Sequence, residues 1–198
     1  MWPWRRHPRP SREVIIVSGL PRSGTSMMMR MLAAGGMAVL TDHQRPPDED
    51  NPRGYFELEA AKRIKEDASF LAQAQGKAVK LVSALLYYLP ADRPYRVIFM
   101  ERHLAEVLAS QKKMLQRRGK PVAEDDARMA QVFAKHLAEV KAWLAQQPHI
   151  ACLYVSYHQV IAAPQAQARA VNRFLGGGLD VKRMAQAVEA ALYRNRAS

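Results

Sequence analysis

The sequence predicts an α/β fold whose parallel sheet is covered by helices on both faces. Apolar runs of strand length at residues 14–17, 96–100 and 150–155 alternate with longer segments in which apolar residues recur every three or four positions. The strand runs are almost continuously apolar, whereas a strand with one face in water would alternate apolar and polar residues. No hairpin signal joins one run to the next, so we expect helical crossovers between parallel strands. Ligands of such sheets bind beyond the carboxyl ends of the strands.

The elements can be assigned in chain order from the spacing of their apolar residues. We expect a strand at residues 14–17, a helix at 25–32, a short strand at 37–40, a helix at 57–71, strands at 78–82 and 96–100, helices at 104–115 and 125–147, a strand at 150–155, and helices at 164–175 and about 181–193. Short continuous apolar runs predict the strands, and a three- to four-residue recurrence predicts the helices. Residues 41–55 combine three prolines with many charges, which predicts a long binding loop or lid.

The last third of the chain contains the clearest helix signals. The apolar stripe predicted to bury the 125–147 helix in the core consists of Met129, Val132, Phe133, Leu137, Val140, Trp143 and Leu144. Pro164 suits the first turn of the next helix, and the glycines at 176–178 predict where that helix ends.

The composition predicts one folded domain that binds anions. The chain has 198 residues, of which 48% are hydrophobic and 24% charged, as in ordinary globular domains. Its net charge of +12 favours an anionic ligand, nucleic acid or an acidic membrane surface. The opening residues are basic but lack the apolar stretch of a secretory signal, so we expect a mobile arm at 1–12 and a single domain at 13–198. The single cysteine gives no disulfide framework, and no run is long enough to span a membrane, which together favour the cytoplasm.

The segment between the first strand and the first helix carries the strongest functional signal. Gly19 and Gly24 stand five positions apart, as in the phosphate-binding Walker loop, but Thr25 takes the position of the lysine that reaches the β- and γ-phosphates. Backbone N–H groups at a helix start bind anions, so one phosphate needs only a few hydroxyls and the cation Arg22. The residues of the predicted anion site are Arg22, Ser23, Gly24, Thr25 and Ser26. The alternative is an ordinary strand-to-helix turn.

Residues 19–26, GLPRSGTS, resemble the loop with which sulfotransferases hold the 5′-phosphosulfate of 3′-phosphoadenosine 5′-phosphosulfate (PAPS). They are most similar to the PRSGTT form of tyrosylprotein sulfotransferases and their bacterial relatives. The resemblance implies a P-loop-NTPase-like three-layer fold and in-line transfer of a sulfuryl group from PAPS to a hydroxyl or amine, which we expect on a small molecule. It implies no metal, and the six histidines show no ligand spacing.

Two further segments resemble the same family. Arg102 follows a predicted strand and Ser110 lies about two helical turns later, in RHLAEVLAS, as in the pair that holds the 3′-phosphate of PAPS. His103 and Leu104 depart from that pattern, which has an acidic residue and a proline there. Tyr157 matches a tyrosine that lies against the nucleotide. The alternative is that both residues have structural roles only. The hydroxyl of Ser110 would then hydrogen-bond to the backbone of its own helical turn, and Tyr157 would be an ordinary core residue.

The same resemblance implies the catalytic residues. Arg22 would stabilise charge on the bridging oxygen and the 5′-phosphate, and Lys80 would touch the transferring group. The acceptor also needs a general base. Counting about twenty residues from the loop arginine, as in tyrosylprotein sulfotransferases, makes Asp42 the first choice. Glu57, at the end of the proline-rich loop, is the second. Glu59 ranks third, because an acidic residue there would also suit a helix start.

Two other functions stay open at this point. A P-loop nucleotide kinase or NTPase would share the strand, glycine loop and helix, but it would need the missing lysine and Mg²⁺. A non-catalytic basic module for nucleic acid or another polyanion would account for the charge, and its binding would depend steeply on salt. A sulfotransferase fold that has lost its activity is a third possibility.

Overall fold

Four parallel strands form the central sheet of the computed structural model, which describes residues 13–42, 44, 48, 54–119 and 125–188. The strands are β1 (Val14–Gly19), β2 (Ala78–Lys80), β3 (Tyr95–Glu101) and β4 (Ile150–Ser156), in the order β2-β1-β3-β4. In β1, Val17 lies opposite Lys80 on one side and Ile98 on the other. Every pairing in the sheet is parallel, which confirms the predicted sheet type.

Helices connect the strands. They are α1 (Thr25–Ala34), α2 (Glu59–Lys62), α3 (Leu104–Arg117), α4 (Asp126–Leu144), α5 (Tyr157–Ala162), α6 (Pro164–Phe174) and α7 (Val181–Gln186), with 3₁₀ helices at Ser69–Ala72 and Ser83–Tyr88. The basic arm predicted at 1–12, and the end of the helix predicted at 181–193, lie outside the described residues. None of the helices that the structure describes combines the length and the apolar character that crossing a membrane requires.

The hydrophobic core has two halves, one on each face of the sheet. Ile16 of β1 packs with α4 and the 3₁₀ helices, whereas Ile15 and Val17 pack with α1, α5, α6 and α7. Every residue of β1 is buried, as expected for a strand covered on both faces. Helix, sheet and helix therefore form three layers, which confirms the predicted P-loop-type α/β fold. With both faces covered, a ligand has access at the carboxyl edge, where Gly19, Lys80 and Glu101 end their strands.

The region after the long loop differs from the sequence prediction. The single helix expected at 57–71 is instead the four-residue helix α2, a series of turns and a 3₁₀ helix. The carboxylate of Asp67 accepts hydrogen bonds from the backbone N–H and the hydroxyl of Ser69, at 2.8 and 3.0 Å. Helix α2 has already ended at Lys62, and turns follow at residues 63–66, so the apolar period continues beyond the end of the helix. The Asp67 bonds lie at the start of the 3₁₀ helix, where such local side-chain bonds compete with α-helical bonding. The predicted strand at 37–40 is also reduced, to one parallel bridge between Val39 and Ala78.

Helix α4 agrees with the prediction in extent but not in its buried stripe. Asp125 caps its start by accepting a hydrogen bond from the backbone N–H of Arg128 at 2.8 Å. Of the predicted stripe, only Val140 and Leu144 are fully buried, and Val132 is 53% exposed. Only the carboxyl-terminal half of α4 packs on the sheet. The apolar residues in its first turns follow the same three- to four-residue spacing, but the sheet does not lie against them, so they are not buried.

Candidate functional site

The loop between β1 and α1 is held in a conformation that needs its glycines. Gly24 precedes α1 with φ 102°, in the left-handed region that favours glycine. A Cβ atom on Gly24 would lie 2.5 Å from Cδ2 of Tyr157, and one on Gly19 would lie 2.5 Å from the carbonyl oxygen of Met100. The loop therefore fits closely against β3 and α5. Since glycine offers no capping side chain, the first N–H groups of α1 face the loop without one.

Two buried hydroxyls in this loop support an anion site. The Oγ atoms of Ser18 and Ser23 are buried and have no hydrogen-bond partner among the described residues. An unpaired buried hydroxyl costs about 1–3 kcal/mol, so such groups usually have a partner in the functional state. Ser23 lies beside the helix start, where an anionic oxygen would accept its hydrogen. The loop residues thus fit a phosphate-like group.

Arg102 forms a second polar cluster on the β3 side of the loop. Its Nε donates to Oε2 of Glu106 at 2.8 Å, and its Nη1 donates to the main-chain carbonyl of Arg22 at 3.2 Å. The guanidinium lies over the ring of Tyr157, with 4.4 Å between its central carbon and the ring centroid. Burial raises the pKa of the Tyr157 hydroxyl, although the charge of Arg102 acts in the opposite direction. Nε2 of His158 lies 3.0 Å from the other carboxylate oxygen of Glu106.

Arg22 reaches this second cluster rather than the β2 side of the loop. Its Nε donates to Oγ of Ser110 at 2.9 Å, and Ser110 is 3% exposed. Arg22 itself has φ 73°, an uncommon conformation for a residue with a side chain. The structure therefore brings Arg22, Arg102, Ser110 and Tyr157 together around the loop and the start of α3.

Lys80 forms a third cluster on the β2 side. Its Nζ donates to the carbonyl of Tyr55 and lies 3.5 Å from Oγ of Ser26 and 3.6 Å from Oε1 of Glu57. The side chain of Lys80 is 10% exposed and that of Glu57 is 19% exposed, so solvent screens this pair only in part. Oε2 of Glu57 also pairs with Lys62 at 3.1 Å. A carboxylate and a cation thus stand together at the first turn of α1.

A profile of the sulfotransferase family matches residues 56–180, more than half of the chain. The chain belongs to the sulfotransferase family. The matched segment contains Glu57, Lys80, Arg102, Ser110 and Tyr157, and it begins after the glycine loop. No curated protein matches this sulfotransferase by sequence.

Solved sulfotransferases have the same fold at low sequence identity. The sulfotransferase domain from the curacin biosynthetic pathway superposes with a TM-score of 0.55 and 16% identity, covering 94% of this chain and 84% of that one. Sulfotransferase STF1 from Mycobacterium tuberculosis H37Rv gives a TM-score of 0.56 and 17% identity, over 89% of this chain and 70% of that one. Mouse sulfotransferase SULT7A1, solved in complex with PAP, gives a TM-score of 0.51 and 16% identity, over 94% of this chain and 64% of that one. At these identities the likeness is one of fold.

Asp42, the first choice for the base, has a structural task in this sulfotransferase. Its carboxylate accepts hydrogen bonds from the backbone N–H groups of Gln44 at 3.0 Å and Glu59 at 2.6 Å. Glu59 is the first residue of α2, so Asp42 caps that helix. Burial alone would raise the pKa of Asp42, but the bonds from Glu59 and Gln44 outweigh it and the pKa lies below its usual value. Both properties make Asp42 a poor proton acceptor near neutral pH.

Glu106 and His158 are the members of the site that sequence reasoning missed. Glu106 follows Arg102 by four positions and precedes Ser110 by four, so α3 carries both on the side that faces the loop. This spacing is visible in the sequence and could have identified Glu106. His158 follows Tyr157 directly, but its contact with Glu106 joins residues 52 positions apart, and no local pattern indicates it.

Proposed function

We propose that this protein transfers the sulfuryl group of PAPS to a hydroxyl or amine of a small-molecule acceptor. The observation that carries the proposal is that the strands on either side of β1 each bring a cation to the loop. Lys80 ends β2 at 3.5 Å from Ser26, and Arg102 follows β3 and donates to the carbonyl of Arg22 at 3.2 Å. Cations on both sides of an anion-binding loop suit a nucleotide with separate anionic groups at its 3′ and 5′ positions.

Each group of residues has a proposed part in nucleotide binding. The loop residues Ser23, Gly24, Thr25 and Ser26 would hold the 5′ group through N–H groups and hydroxyls. Arg102 and Ser110 would hold the 3′-phosphate, with Arg22 beside them, and Tyr157 would pack against the nucleotide. The unpaired hydroxyl of Ser23 supports the first assignment, and the closeness of the two arginines supports the second. This arrangement uses Arg22 on the 3′ side, where its Nε bonds Ser110.

The reaction that we propose needs a cation and a base at the β2 end of the loop. PAPS, once bound, would supply the sulfuryl group: its sulfur loses the bond to the bridging oxygen as the acceptor atom bonds to sulfur. Lys80 would stabilise the negative charge that remains on the 5′-phosphate side. Glu57, at 3.6 Å from Lys80, would take the acceptor's proton. Glu57 is preferred to Asp42 because both oxygens of Asp42 accept backbone hydrogen bonds.

The donor is tested by calorimetric titration with adenosine 3′,5′-bisphosphate, AMP, and ATP with Mg²⁺. The bisphosphate should bind at least about tenfold more tightly than AMP, the gain expected from charge-assisted hydrogen bonds to one extra phosphate. Formation of adenosine 3′,5′-bisphosphate from PAPS, measured by chromatography with a panel of phenols, alcohols and amines, then identifies the acceptor. A preference for ATP with Mg²⁺ would replace the proposal by the kinase or NTPase alternative.

The base is tested by comparing Glu57→Gln with Asp42→Asn. Loss of a general base should lower kcat about 10²- to 10⁴-fold in Glu57→Gln, with little change in nucleotide affinity. Asp42→Asn should instead lower the thermal stability and leave kcat within a few-fold below the melting temperature. The opposite pattern, with kcat lost only in Asp42→Asn, would make Asp42 the base.

A further inference from the structure

Glu106 is the one charged residue among the described ranges that is fully buried, with 2% of its surface exposed. Its two carboxylate oxygens have different partners. Oε2 accepts from Nε of Arg102 at 2.8 Å, and Oε1 lies 3.0 Å from Nε2 of His158. A carboxylate beside a guanidinium accepts hydrogen bonds only, so Nε2 of His158 is the donor. Glu106 thus links a residue after β3 to a residue of α5.

This buried ion pair is a poor device for stabilising the fold. Burying two charges costs several kcal/mol per ion, and an apolar replacement of similar size is often neutral or stabilising. The group also lies beside the loop rather than deep between sheet and helix, since Arg102 also donates to the main-chain carbonyl of Arg22. The position favours a task in orientation.

Glu106 restricts the guanidinium of Arg102 in a specific way. One N–H is taken by Glu106, another by the carbonyl of Arg22, and the guanidinium lies over the ring of Tyr157 at 4.4 Å. A planar guanidinium held at two N–H groups and packed against a ring keeps one orientation, which is what bidentate recognition of a phosphate requires. On the next turn of α3, Ser110 accepts from Nε of Arg22 in the same manner. Helix α3 therefore anchors one arginine per turn.

We propose that Glu106 is a positioning residue which, supported by His158, holds Arg102 in the orientation that binds a nucleotide 3′-phosphate. The inference rests on the proposed function, because the 3′-phosphate belongs to the proposed donor. Glu106 itself does not contact the nucleotide. Because it acts through Arg102, this carboxylate affects binding of the 3′-phosphate and leaves binding of the adenosine 5′-phosphate part unchanged. Glu106 thereby determines the preference for a nucleotide with a 3′-phosphate.

The test is the preference for adenosine 3′,5′-bisphosphate over AMP, measured by calorimetry in the wild type and in Glu106→Gln. Glutamine keeps the size of the side chain but removes the charge that fixes Nε of Arg102. The preference should fall about tenfold or more in Glu106→Gln, while the affinity for AMP stays within about twofold, because AMP lacks the group that Arg102 would bind. Glu106→Asp, which keeps the charge, should recover part of the preference.

Glu13→Gln is the matched control. Oε2 of Glu13 accepts from Nε of Arg96 at 2.8 Å, the same geometry at the opposite edge of the sheet. This variant should keep the wild-type preference. An equal loss of affinity for both nucleotides in Glu106→Gln would show a general structural role and overturn the inference, as would an unchanged preference.

The proposed function fails in a different way. If the wild type itself binds the bisphosphate and AMP equally, the donor assignment is wrong before any variant is compared, and the inference about Glu106 is rejected with it.

His158→Leu is the second variant, for the case that Glu106→Gln does not fold. It removes one of the partners of Glu106 at a partly exposed position. It should lower the preference about threefold or more. No change in His158→Leu would overturn the inference.

Discussion

The contact between the loop and helix α5 can be measured by adding one methyl group, with Gly24→Ala. At φ 102° an alanine pays the cost of the left-handed conformation, about 1–2 kcal/mol. Its Cβ would also lie 2.5 Å from Cδ2 and 3.1 Å from Cε2 of Tyr157, and overpacking of this kind costs about 1–3 kcal/mol more. We therefore expect a loss of about 2–5 kcal/mol in the free energy of unfolding, measured by urea titration.

Gly36→Ala separates the two costs. Gly36 has φ 93°, but a Cβ on it would meet nothing within 4 Å, so in this variant only the unfavourable left-handed backbone conformation destabilises the protein. It should lose about 1–2 kcal/mol, and its melting temperature should lie several degrees above that of Gly24→Ala. In a Tyr157→Leu background the extra cost of Gly24→Ala should largely disappear. Equal losses in Gly24→Ala and Gly36→Ala would refute the close approach of Tyr157 to the loop.

Two further predictions follow from perturbed pKa values. Because the folded-state pKa of Asp42 lies below its usual 3.8, the stability that Asp42 contributes is present above that pH and is lost as the pH falls through the folded-state pKa. Asp42→Asn should thus melt below the wild type at neutral pH, with a difference that shrinks as the pH is lowered; a difference in melting temperature that does not shrink in acid would contradict the capping role. Burial raises the pKa of the Cys152 thiol to about 11, so at about pH 8 iodoacetamide should alkylate the native protein more than about 100-fold more slowly than the urea-unfolded chain, by mass spectrometry. Comparable rates would show that the thiol is accessible and ionised.

Local sequence patterns predicted the architecture well, because whether a segment forms a strand or a helix depends largely on residues that are neighbours in the chain. The continuously apolar run at residues 14–17 and the absence of hairpin signals predicted a parallel sheet covered on both faces, and the structure confirms both features. The prediction of one helix at 57–71 was wrong, since α2 ends at Lys62 and, after a series of turns, Ser69 donates hydrogen bonds to the carboxylate of Asp67 at the start of a 3₁₀ helix. A three- to four-residue recurrence of apolar residues shows which side chains would share one face if a helix formed. It does not exclude local hydrogen bonds that favour another backbone conformation.

The sequence alone determined the strand, glycine loop and helix, and the rule that polar residues after parallel strands meet at one edge placed Lys80 and Arg102 near that loop. Only the tertiary structure decided which side chains pair there. Arg22 bonds Ser110 across 88 positions, and Glu106, which also bonds Arg102, contacts His158 across 52. These contacts follow from strand order and helix rotation, which bring together residues that no spacing in the sequence relates.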